Sequence, residues 1–315
     1  MIMINNDRGQ SLINKYVWVM ETIYHSGKIS FKELNERWLR DIDISRGVDL
    51  SKRTFENWRY AIWDMFGINI VNEGCGEYRY FIENTDDLED NGLRSWLYQT
   101  ICVSNTIANS QGLKDRILLE DVPSGQKYLQ TIIRAMKENK VINITYHSFW
   151  KDEEHTFDVQ PLCVKLFRQR WYMVGQSTAP EYQDQPPRIY ALDRIHELHT
   201  TGEHFKMPKG WTANDYFDGC FGIIVDQRVE MQKVKLKVAA GQANYIRSLM
   251  LHPSQREIEQ NEEYSVFEYR LRPTFDFIQE ILRNGEDMEV LEPLSLRDEI
   301  SGIIERLGKK YEILN

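Results

Sequence analysis

The sequence predicts a multidomain α+β protein, on three observations. Residues 1–83 read as three short helices followed by a hairpin. From Val141 the pattern becomes short strands separated by polar turns, and from Glu230 strands and helices alternate to the end. The boundaries that follow are 1–83, a helical connector over 84–140, a strand-rich domain over 141–205, a linker over 206–227 and an α+β module over 228–315. A chain of 315 residues exceeds one ordinary core, which agrees with several domains.

The first helix is written in "LINKYVWVMETIYHSG", where Leu12, Ile13, Tyr16, Val17, Met20, Ile23 and Tyr24 recur at helical spacing before Gly27. The second opens at "ISFKEL", with Ser30 and Glu33 as a capping box and Ile29 and Leu34 as a hydrophobic staple. The third opens after Ser51 in "LSKRTFENWRYAIWDMFG". Phe55, Trp58, Ile62 and Phe66 fall on one side, and Arg53, Asn57 and Tyr60 on the other. "INIVNEGCGEYRYFIE" then reads as a hairpin around a glycine-rich turn.

Three helices and a hairpin in that order predict a winged helix-turn-helix, whose third helix enters the major groove of DNA. Lys52, Arg53, Thr54, Asn57 and Tyr60 are its candidate DNA-binding residues. Arg and Asn are suited to base edges, and Lys and Thr to phosphates. Asp64, further along the same face, opposes phosphate.

In the connector, "NTDDLEDNG" reads as a loop, with helices expected around 93–109 and 125–139. Long helices here are suited to a dimer interface. The strand-rich domain contains "VINITYHSF", "HTFDVQPLCVKLF", "RQRWYMVGQS" and "RIYALDRIHELH", which predict a strongly bent sheet or small barrel. Alternation along a strand puts Arg168, Arg170 and Tyr172 on one face and Trp171 and Met173 on the other. Tyr146 and Ser148 share a face of their strand, and Arg188 and Arg194 share one of theirs. If these faces meet, guanidinium forks and phenol rings gather where a phosphate and a base would bind. The alternative is that these arginines pair with Asp158, Asp193 or Glu181 and only tie strands together.

"RWYMVG" followed by "RIYALDRI", preceded by "ITYHS" and "VQPL", resembles the WYL-domain family of bacterial transcriptional regulators. "LSKRTFENW", "FGINI" and "GEYRYFI" are similar to the winged helix that usually precedes that domain. "LHPSQREI", "EILRNGEDMEVLEP" and "LRDEISGIIERLGKKY" resemble the C-terminal extension that often follows it. The resemblance implies an Sm/SH3-like β-barrel that senses nucleic acid or nucleotides, in a homodimeric transcription factor. It implies an effector pocket of Tyr146, His147, Ser148, Arg168, Arg170, Tyr172, Arg188 and Arg194. Met173 stands where the family name has Leu, a volume-conserving change, and Asn57-Trp58 stands where many members have Arg-Asp.

Composition narrows the remaining classes. The chain is 42% hydrophobic and 28% charged, with a net charge of −9 concentrated in its last third. The earlier parts therefore remain free to meet an anion. No apolar run is long enough for a bilayer, and the N-terminus lacks a signal-peptide pattern. Cys75, Cys102, Cys163 and Cys220 are widely spaced, which predicts a reducing cytoplasm and neither zinc site nor disulfide. "HELHTTGEH" is not a metal motif, because His196 and His199 would face opposite ways on a strand; "KDEEH" reads as a solvated turn. No catalytic residue, cofactor or metal is assigned. The expectation is a cytoplasmic, non-enzymatic regulator that binds a double-stranded operator and responds to a single-stranded nucleic-acid or nucleotide effector. A constitutive interaction protein and, more remotely, a nucleic-acid-processing enzyme are the competing readings.

Overall fold

The computed structural model describes residues 5–74, 78–83, 125–149, 153–182 and 185–313, with 96, 99–101, 103, 104, 107 and 116–118. Side chains are described from Leu12 onward, Asp43 excepted. Cys75, Cys102 and most of the expected 93–109 helix lie outside the described residues. The chain divides into two compact units, Met1–Glu120 and Asp121–Asn315.

In the first unit, α1 (Asn5–Ser26), α2 (Phe31–Arg40), a one-turn α3 (Ile42–Ser45) and α4 (Lys52–Phe66) precede β1 (Ile70–Asn72) and β2 (Tyr80–Ile82). The two strands pair antiparallel, Ile70 opposite Ile82. The predicted caps are present. Ser30 and Glu33 bond reciprocally at the start of α2, and Ser51 Oγ accepts from Thr54 N–H at 3.0 Å at the start of α4. Gly67 ends α4 at φ +66°, a conformation glycine adopts without penalty. Phe55, Trp58 and Ile62 are buried against Val17, Met20 and Leu34, and the Tyr80 ring meets Phe55 edge-on at 4.8 Å. Arg59 Nε donates to Ile70 O at 2.8 Å and ties α4 to β1. Leu12 and Ile13, read as part of the apolar stripe of α1, are instead exposed.

In the second unit, α5 (Gln126–Glu138) leads into β3 (Lys140–His147), β4 (Glu154–Phe167), β5 (Arg170–Ser177), β6 (Arg188–Ala191) and β7 (Ile195–His204). The strands form one antiparallel sheet in the order β6-β5-β4-β3-β7. β4 pairs through its first half with β3 and through its second with β5, with a register shift between Pro161 and Cys163. Such a bulge bends the strand. Ile132 and Ala135 of α5 bury against Ile142, Ile144 and Met173.

The expected closed barrel is not seen. β6 and β7 are the two edges and do not pair with each other among the described residues. The run "RIYALDRIHELH" is not one strand: Leu192–Arg194 form a 3-10 turn that carries the chain from one edge to the other. Arg188 and Arg194 therefore do not share a strand face. Arg168 is also displaced, because Arg168 and Gln169 form the β4–β5 turn, both with φ in the left-handed region.

After the one-turn α6 (Ala213–Tyr216), a second antiparallel sheet follows: β8 (Gln232–Ala239), α7 (Ala240–Ser248), β9 (Arg256–Gln260), β10 (Tyr264–Leu271), α8 (Phe275–Arg283), β11 (Met288–Glu292) and α9 (Leu294–Lys310). Its order is β11-β8-β10-β9. β9 was not expected; "REIEQ" is exposed throughout and offers no alternation to read. The two sheets meet through Phe167, Phe221 and Phe277, whose rings stack edge-on at 6.3 and 5.4 Å.

Candidate functional site

The strand-rich sheet borders an open cavity of about 550 Å³, a size suited to a small ligand. Tyr146 from β3, Tyr172 from β5, Arg188 from β6 and Arg194 from the 3-10 turn line it. Tyr216 and the segment Ile223–Val225 line it as well, together with Gln185, Pro186 and Pro187. No carboxylate is among the described lining residues.

Each cation is held in place without being neutralised. The Arg194 guanidinium lies over the Phe149 ring at 3.6 Å, and its Nε is buried without a hydrogen-bond partner. Arg188 Nη2 donates to Gln185 Oε1 at 2.8 Å while its guanidinium covers Tyr182 at 4.3 Å. Neither arginine forms an ion pair among the described residues. Ring faces and a neutral amide orient both forks and leave charge for an anion.

The phenols are ordered by the backbone and by burial. Tyr146 Oη accepts from Ala191 N–H at 3.3 Å, and its ring meets Tyr190 edge-on at 5.4 Å. Tyr216 donates to Pro187 O at 2.8 Å, and burial pushes its hydroxyl up to about 12. Burial also raises the Tyr172 hydroxyl, against the opposing pull of Arg170. Tyr172 and Tyr216 therefore remain neutral near neutrality.

Of the predicted pocket residues, Tyr146, Tyr172, Arg188 and Arg194 come together at the cavity. Arg170 does not line it; its Nη2 donates to Asp193 Oδ2. Arg168 turns away and donates to Glu280 of α8. His147 and Ser148 are half-buried and do not line the cavity, and the His147 ring lies 6.0 Å from that of His196. The linker residues were missed because "FGIIV" lies in a stretch without strand or helix periodicity.

In the first unit, Lys52, Arg53, Asn57 and Tyr60 are exposed on α4, and Tyr60 is 75% exposed. Thr54 is half-buried, its hydroxyl bonded to Ser51 Oγ at 2.7 Å. Among the described residues no group of three or more His, Cys, Asp and Glu is placed to hold a metal, and no helix is long and apolar enough to cross a membrane.

Family models match residues 127–200 as a WYL domain and 230–308 as a WCX domain. The chain therefore carries a WYL domain followed by a WCX domain. The WYL match takes in α5 and the first sheet, and the WCX match covers the second.

Among solved structures, the proteasome accessory factor B/C (PafBC) of Arthrobacter aurescens is 18% identical over 92% of this chain and 46% of its own, with a TM-score of 0.36. A CRISPR Cas-related protein is 13% identical over 99% of this chain and 88% of its own, with a TM-score of 0.39. The chain thus spans less than half the length of the first, and neither score fixes a common fold. No curated protein matches.

Proposed function

We propose that this is a non-enzymatic, DNA-binding transcriptional regulator that acts as a homodimer and responds to an anionic effector. The first unit is read as a winged helix-turn-helix that inserts α4 into the major groove, with β1 and β2 as its wing. Lys52 and Arg53 meet phosphate or base edge at the start of α4, and Asn57 reaches a base. The effector is a nucleotide or short single-stranded nucleic acid held in the WYL cavity. Arg188 and Arg194 take its phosphate, and the phenols of Tyr146 and Tyr172 take its base.

One observation carries the effector reading: two guanidinium groups and three phenols border a cavity with no carboxylate among its described lining residues. A fluorescein-labelled single-stranded DNA oligonucleotide, titrated by anisotropy, tests it. Arg188→Ala and Arg194→Ala are each expected to weaken binding by about tenfold or more, as for loss of a charged hydrogen bond. Wild-type affinity in both variants would overturn the reading.

A second reading has its own support. Arg168 and Arg170 each engage a carboxylate, as tie residues of a constitutive interaction protein would. On that reading duplex affinity is indifferent to nucleotides and oligonucleotides of any length.

A further inference from the structure

The Gly222–Ile223 peptide is gripped at both of its polar ends. Its carbonyl oxygen accepts from Lys165 Nζ at 2.7 Å, and its N–H donates to Asp276 Oδ2 at 2.8 Å. The next N–H, that of Ile224, donates to the same carboxylate oxygen at 2.9 Å. Lys165 belongs to β4 of the first sheet, and Asp276 to the first turn of α8 in the WCX domain. One peptide unit therefore joins the two domains through charge-assisted bonds at each end.

The surroundings leave the peptide little freedom. A Cβ at position 222 would lie 2.4 Å from Asp276 Oδ2 and 2.9 Å from Phe167 Cζ, so a side chain there would have to displace the Asp276 carboxylate. The Lys165 ammonium is also held over the Phe217 ring at 3.9 Å. One turn along α8 from Asp276, Glu280 takes Arg168 of the β4–β5 turn. A single helix thus holds both the linker and the hairpin that carries Tyr172.

Ile223, whose N–H is gripped, and the two residues after it, Ile224 and Val225, are part of the cavity lining. We propose that Lys165 and Asp276 are positioning residues for this cavity: the clamp fixes its linker wall, and a ligand that presses on that wall is felt by α8. The inference rests on the reading that the cavity takes a ligand. It adds which residues outside the cavity set its shape and which WCX helix registers occupancy. Neither Lys165 nor Asp276 touches the ligand, so their effect is on geometry.

The test combines hydrogen exchange by mass spectrometry with anisotropy titration of the labelled single-stranded oligonucleotide, on the full chain. In the wild type, the oligonucleotide is expected to slow exchange in residues 222–225 and also in α8. Protection of 222–225 with α8 unchanged would overturn the coupling. Asp276→Asn keeps the shape and removes the charge. It is expected to speed exchange at Ile223 and Ile224 without ligand, to weaken the oligonucleotide about tenfold and to abolish the protection of α8. Lys165→Met releases the same peptide from its other end and is expected to act in the same direction; it serves if the first variant fails to fold.

Unchanged affinity and unchanged exchange in these variants would overturn the positioning role. Arg194→Ala separates the two ideas. If Arg194→Ala and Arg188→Ala both bind as tightly as wild type, or no oligonucleotide binds, the cavity reading fails and takes the clamp with it. If Arg194→Ala loses binding while Asp276→Asn does not, only the clamp fails.

Discussion

Arg170 and Asp193 face each other as a half-made pair: Arg170 Nη2 donates to Asp193 Oδ2, while Arg170 Nε and Asp193 Oδ1 are buried without partners. The two side chains are unequally covered, at 29% exposure for the arginine and 12% for the aspartate. Removing one member therefore costs different amounts. Arg170→Met strands a nearly buried carboxylate and is expected to destabilise the second unit by about 3 kcal/mol. Asp193→Asn leaves a guanidinium that still reaches water, and about 1 kcal/mol is expected. Urea midpoints of the two variants check the order; equal losses would mean that both charges are solvated. Arg170→Met is also expected to keep oligonucleotide affinity where Arg194→Ala loses it, because Arg170 does not line the cavity.

That contrast shows what was legible in the sequence. Alternation placed Trp171 and Met173 against the core, and both pack there, because a two-residue period survives wherever one strand face is buried. Helix caps at Ser30 and Ser51 were legible for the same local reason. The backbone settings of Arg168 and Arg194 were not. Each depends on where a turn begins, and Arg168–Gln169 and Leu192–Arg194 interrupt runs whose composition is that of a strand. The linker wall of the cavity was hidden more deeply. Ile223 and Ile224 reach it because Asp276, more than fifty residues later, holds their N–H groups, and no local pattern encodes such a bond.

Alkaline pH is expected to weaken the second unit, with a sign fixed by buried acids. Burial pushes the Cys163 thiol from 9.0 up to about 11. The unfolded chain releases that proton near pH 9, whereas the fold keeps it. The contribution is therefore complete below pH 9 and is lost as pH rises to about 11. Tyr190 and Tyr216, pushed from 10.0 to about 12, continue the loss from pH 10 to about 12. Burial lowers Lys165, which works with the opposite sign as pH approaches 10.5. Urea midpoints should fall between pH 9 and 11, with a shallower slope in Cys163→Ala and a steeper one in Lys165→Met. A flat profile in the wild type would mean that these groups are solvated.

Gly175 in "RWYMVG" is dictated by a close approach between strands. A Cβ there would lie 2.3 Å from Val159 Cγ1 and 3.3 Å from Gln160 O. Gly175→Ala is expected to cost about 2–3 kcal/mol, in the range of overpacked cores. Val159, diagonal to it across the β4–β5 pair, is fully buried, so Val159→Ala removes the obstructing methyl at the cost of a cavity. The double variant is expected to be more stable than the sum of the single losses predicts, by ~1 kcal/mol or more. Simple additivity would place the strain elsewhere.

The exposed start of α4 gives the DNA reading a quantitative form. Lys52 and Arg53 are exposed in its first turn, just beyond the Ser51 cap, with Asn57 one turn further on the same exposed surface. If Lys52 contacts phosphate, Lys52→Ala weakens binding to all duplexes alike and reduces the slope of log affinity against log salt by about 0.9. Asn57→Ala is expected to leave that slope unchanged and to relax preference at one base pair, at about 1–3 kcal/mol of discrimination. Ser51→Ala is the structural control. It removes the cap while leaving Lys52, Arg53 and Asn57 in place, and should lower stability by about 1 kcal/mol. Anisotropy titrations over a range of salt, with a selected operator and a scrambled duplex, separate the three effects. A wild-type slope near zero would mean that α4 engages few phosphates, and the helix would then be a face for protein rather than for DNA.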